Sequence, residues 1–131
     1  MTSRPRIARD PLSLSMWLDA ACELAGAVVI VLLAGAIEGS TGLARELAYV
    51  SAGVFLVAAV VVGVMARGGR RSSARLLAGG NIAGGVVLWV AVAARWGDLE
   101  PGARWVLAAM GDSFILIGAL EWLALRLTRE R

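Results

Sequence analysis

The chain has no histidine and no lysine, and it has one cysteine, three prolines and one tyrosine. Without an imidazole there is neither a histidine base nor a histidine metal ligand. A single thiol, Cys22, can form neither an intrachain disulfide nor a cysteine-rich zinc or iron–sulfur centre. None of the glycine-rich stretches carries the lysine and hydroxyl residue of a phosphate loop. No cofactor, no metal and no enzymatic activity is therefore expected. Charge is scarce as well: 18% of the residues, against about a quarter in soluble domains.

What is present is hydrocarbon. Of 131 residues, 59% are apolar, and the mean hydropathy is +0.75. A bilayer core requires about 20 predominantly apolar residues per helix, and four such segments are read at about 15–37, 47–66, 76–94 and 105–125. The first has a continuous apolar stretch only from Leu24 to Ile37. With Arg4, Arg6 and Arg9 before it and Ala34, Gly35 and Ala36 at its end, a secretory signal was weighed. Asp19 and Glu23 directly before the apolar run disfavour that reading. Pro11, with Ser13 or Ser15 as the N-cap, marks the expected helix start, and Gly/Ser-rich or Gly/Pro-rich stretches near 39–42, 68–73 and 97–102 mark three short turns. Short turns make consecutive helices antiparallel neighbours. The expected fold is all-α: a single domain, 1–131, forming a four-helix transmembrane bundle behind a basic N-terminal tail, 1–14.

Orientation is read from the arginines, which supply all 13 basic residues. The N-terminal tail, the second turn region and the C-terminal tail hold ten; the first and third turn regions hold three, Arg45, Arg95 and Arg104. Cytoplasmic loops are enriched in basic residues, so both termini are expected in the cytoplasm of a multi-pass inner-membrane protein. Trp17 and Trp122 then mark the inner interface, and Trp96 and Trp105 the outer one. The basic clusters need no nucleic acid to explain them; they set topology and face anionic lipid. A faint repeat at an offset of 59 residues pairs Arg45 with Arg104, Phe55 with Phe114 and Arg67 with Arg126.

Charged side chains inside a span are costly, about 2.5–3.5 kcal/mol at a helix centre on insertion scales. Asp19 and Glu23 share a face of the first helix. Asn81 and Glu121 lie at similar depth, about 9 Å in from Arg75 and about 7 Å in from Arg126 by helical rise. If the first, third and fourth helices face each other, these four meet in a pocket open to the cytoplasm, where carboxylates with no basic partner would bind a proton or a cation; the competing reading is structural, with Asp19 and Glu23 on the helix dipole, Glu121 snorkelling or paired with an arginine, and Asn81 bonded across helices. Asp112 lies about 10 Å below Trp105, deep in hydrocarbon with only Ser113 beside it, and is the sharpest candidate for proton-linked exchange. Gly80 and Gly84 form a G-x-x-x-G which, with Gly85, is expected to pack helices closely within the bundle or across a homodimer. Cys22 is read as a small packing residue.

In length, spans and all-arginine basic content the chain resembles small inner-membrane proteins of GC-rich bacteria. In size, span number and a membrane carboxylate it is similar to the small multidrug transporters. Their key glutamate lies in the first helix of a chain with little other charge, whereas here the acids are spread over the first and fourth helices, so the likeness is an analogy. Three functions compete: a proton- or cation-linked transporter or binding protein, an accessory or scaffold subunit of a larger membrane complex, and, with least support, a membrane enzyme built on Asp112 and Ser113. The orientation has a direct test. Reporter fusions after residues 41, 70, 99 and 131 are expected to read outside, inside, outside and inside, and an outside signal at residue 131 overturns it.

Overall fold

The computed structural model describes residues 11–128, which form four α-helices: α1 Pro11–Thr41, α2 Arg45–Gly68, α3 Arg71–Ala94 and α4 Pro101–Leu127. Residues 1–10 of the expected basic tail, with Arg129 and Arg131, lie outside the described residues. The helices hold 31, 24, 24 and 27 residues, or about 46, 36, 36 and 40 Å at 1.5 Å per residue. Each is long and apolar enough to cross a membrane.

Every helix overruns its expected apolar span, because helix continues where hydropathy fades. Residues 11–14 form the first turn of α1 instead of a tail, since proline at a helix start loses no hydrogen bond and has its φ preset. Ser13 and Ser15 are accordingly inside the helix and cap nothing. Ser15 Oγ donates to Leu12 O at 2.9 Å, and Ser13 Oγ donates across to Ala66 O at 3.4 Å, tying α1 to the end of α2. The turns follow the glycines: Gly42 and Gly69 take positive φ, 70° and 56°, and end α1 and α2 in a left-handed conformation that a Cβ would strain. Pro101 restarts the chain at α4.

Two antiparallel hairpins result, α1 on α2 and α3 on α4, and they meet chiefly where α1 lies against α4. The contact is unequal, since α2 and α3 barely touch. The Phe55 and Phe114 rings bridge the hairpins, stacked with centroids 6.0 Å apart. At the far end Trp96 meets Trp105 edge-to-face at 5.8 Å, with the Arg104 guanidinium 5.5 Å from the Trp96 ring.

The interior is built from small residues. The buried side chains fall seven apart on each helix: Ala20, Ala27 and Ala34; Ala52, Ala59 and Ala66; Ala78, Gly85 and Val92; Gly111, Gly118 and Leu125. That spacing keeps one seam facing its neighbour when helices wrap with a left-handed twist. The large apolar residues point outward, Leu32 being 76% exposed and Val87 67%. This is the arrangement hydrocarbon favours, where leucine gains little by leaving the lipid and association depends on close packing.

The closest approaches correct the sequence reading. Gly80 and Gly84 are exposed, and a Cβ on either would meet nothing within 4 Å. Gly85 does pack: its Cβ would lie 2.6 Å from Gly111 O. Gly118 packs as closely, 2.8 Å from Ala78 O, and neither it nor Gly111 was expected to pack. The residues one helical step from Gly84 and Gly80 face α4, so the G-x-x-x-G lies beside the seam rather than in it. Cys22, expected to pack, is exposed. Gly118→Ala is expected to destabilise the detergent-solubilised chain by about 1–3 kcal/mol through overpacking, measured by denaturant unfolding. Gly80→Ala should leave stability unchanged; equal losses at both positions would contradict this seam.

Candidate functional site

Three helices converge on one amide. Asp19 on α1 is 1% exposed and Glu121 on α4 is 0% exposed. Between them, Asn81 of α3 donates both hydrogens of its side-chain nitrogen, one to Asp19 Oδ2 at 3.1 Å and one to Glu121 Oε2 at 3.2 Å. Both carboxyl groups thus hang on the one amide. Each keeps one buried oxygen, Asp19 Oδ1 and Glu121 Oε1, with no hydrogen-bond partner. Glu23, one turn along α1, is 7% exposed and close enough to Asp19 to feel its charge.

Helix registers explain the convergence. Asp19 lies about 12 Å into α1, Asn81 about 15 Å into α3 and Glu121 about 9 Å from the end of α4, all measured from the end of the bundle that holds Pro11 and Leu127. Because α3 and α4 are locked by Gly85 and Gly118, the residues three to four away on each seam, Asn81 and Glu121, are carried into register with α1.

Among the described residues no basic side chain compensates this charge. The ion pairs among the described residues are Arg45 with Glu38 at 2.9 Å and Arg95 with Asp98 at 3.5 Å, both at the opposite end of the bundle. Two buried carboxyls that share one amide favour having at least one of them neutralised, by a proton or a cation, since like charges near each other repel strongly where the dielectric is low. Among the described residues no three Asp, Glu or Cys side chains converge to ligate a metal ion. A pair of carboxyls and an amide is also few oxygens for a divalent cation, which takes six or more.

The expected opening toward the terminal end is closed. Leu12, Met16, Ala66, Ala74, Ala78 and Leu125 form a buried apolar cluster there. On α1, α3 and α4 its members lie one to two turns nearer that end than the site residues. Met16 and Ala78 are wholly buried and sit directly beneath the amide bridge. The sequence reading counted the polar residues of this region and overlooked the small and flexible apolar ones that close over them.

Asp112 stands apart from the four. It is exposed on the bundle surface, where Oδ1 accepts a hydrogen bond from Trp89 Nε1 at 2.9 Å. Ser113 is not its partner, because its hydroxyl donates to Ala109 O at 2.8 Å. Trp89 was missed. It lies five residues before the end of α3, inside the apolar run 76–94, which is the signal that its N–H needs a partner there.

The chain matches no family model, no curated protein and no solved structure. The amide bridge has its own test. Asn81→Leu removes the donor of both carboxyls and is expected to lower unfolding stability by about 1–3 kcal/mol for each group left unpaired. Adding Glu121→Gln, which supplies a new amide, should recover much of the loss. No loss in Asn81→Leu would show that the bridge does not hold the helices.

Proposed function

We propose that this chain is a small bacterial inner-membrane protein, with both termini in the cytoplasm, that binds and exchanges a proton for a cation at Asp19, Glu121 and Asn81, with Glu23 as the neighbouring acid. The observation that carries this reading is the pair of buried carboxyl oxygens that find neither a hydrogen-bond partner nor a counter-charge among the described residues. A purely structural pair would be cheaper as two amides, because a half-satisfied buried polar network is worse than an apolar one. On this reading a proton occupies the site while the Met16 cluster covers it. Exchange requires the Met16 cluster to part, after which a monovalent or organic cation can replace the proton. Asp112, held at the surface by Trp89, takes no part in that exchange.

A second reading, that the chain is a non-catalytic accessory subunit or works as a homodimer, is favoured by the exposed Gly80 and Gly84 face of α3, which offers close approach to another helix. The two are separated in proteoliposomes of the full chain loaded with a pH-sensitive dye and challenged with sodium, potassium or ethidium gradients. Wild type is expected to move protons, Asp19→Asn and Glu121→Gln to lose at least about tenfold in rate, and Asp112→Asn to keep it. That loss corresponds to about 1.4 kcal/mol of barrier. No proton movement by wild type under any of these gradients removes the transport reading and leaves the accessory one.

A further inference from the structure

A second site lies at the terminal end of the hairpin formed by α3 and α4, outside the carboxylate cluster. A cavity of about 410 Å³ there is lined by Arg71, Arg75, Trp122, Leu125 and Arg126. Arg71 and Arg75 are four apart on α3, and Trp122 and Arg126 four apart on α4, so each helix presents a one-turn pair to the shared space. Arg71 is fixed in place: its two terminal nitrogens donate to Leu125 O at 2.8 Å and Thr128 O at 3.3 Å, satisfying carbonyls that the end of α4 leaves open. The side chains of Arg75 and Arg126 make no hydrogen bond or ion pair among the described residues, and neither described ion pair involves any of the three arginines. Three guanidiniums with no acidic partner among the described residues thus surround one cavity, beside an indole 45% exposed at the level where aromatic side chains meet headgroups.

We infer that this cavity binds the phosphate of an anionic phospholipid, held by Arg75 and Arg126 with Arg71 behind them and Trp122 at the headgroup boundary. Guanidinium offers paired N–H donors that match phosphate oxygens, and basic pockets between transmembrane helices at a membrane surface suit anionic headgroups. Lipid is favoured over a soluble anion because the cavity borders surface that already faces hydrocarbon: Leu76 is 67% exposed and Leu123 52%. This site is independent of the carboxylate reading and stands if that reading fails.

The test uses the full chain reconstituted in mixed phosphatidylcholine and phosphatidylglycerol, then extracted in mild detergent, with retained lipid counted by native mass spectrometry. Wild type is expected to retain phosphatidylglycerol in preference to phosphatidylcholine. Arg75→Gln and Arg126→Gln should each reduce that preference roughly fivefold, whereas Arg67→Gln, outside the cavity, leaves it unchanged. Since Arg75 and Arg126 hold no other contact, the helical circular dichroism of these variants is expected to match wild type, and Arg75→Lys with Arg126→Lys should keep most of the preference. Absence of preference in wild type, or an undiminished preference in the Arg75→Gln, Arg126→Gln double variant, overturns the site. Displacement of the lipid by inorganic phosphate or glycerol phosphate at comparable concentration would assign it to a soluble anion and overturn the lipid reading.

Discussion

Everything in this bundle depends on how closely its helices can approach. In hydrocarbon the large apolar side chains gain nothing by turning inward, so the attraction that remains is backbone and small side chain in contact. Alanines and glycines seven residues apart supply that contact along each helix, and Gly85, Gly111 and Gly118 bring α3 and α4 near enough that no Cβ fits without displacement. Leucines and valines are left to face the lipid.

That closeness is what makes the polar cluster possible. A seam of small residues leaves room for three polar side chains from three helices to meet, and Asn81 is short enough to bridge two carboxyls without parting them. The same tightness shuts the site, since Met16 and its neighbours fill the seam toward the terminal end. The exposed glycine face of α3 is the complement of this tight seam, a surface equally suited to close approach but left open.

Charge is segregated in a way that serves both ends of the chain. Among the described residues the acids at the seam have no arginine partner, while arginines collect where α3 starts and α4 ends, with Arg71 closing α4's open carbonyls. Had one of those arginines been able to reach Glu121, the carboxyl pair would be a salt bridge. Arg75 and Arg126 lie about one and a half turns or more from the site residues on their own helices, which keeps the two systems apart.

Four spans, their approximate limits and the short turns were legible in the sequence, because hydropathy and breaker residues act locally. The shared depth of Asp19, Asn81 and Glu121 was legible too, since helical rise converts position into depth. Rotation was not. Whether a residue faces the seam or the lipid depends on the angle at which each helix meets its neighbours, and a chain rich in alanine, valine and glycine on all sides carries little record of that angle. Gly80 and Gly84 were therefore expected to pack, within the bundle or across a homodimer, when inside the bundle it is Gly85, also expected, and Gly118, not expected, that form the seam, and the partner of Asp112 was not foreseen, since Trp89 and not Ser113 meets it. The sequence by itself determined how many helices there are and how deep each polar group lies, because those follow from composition and rise along one chain. Only the tertiary structure decided which of those groups touch, because contact in a membrane is set by the packing of small residues between chains of similar polarity.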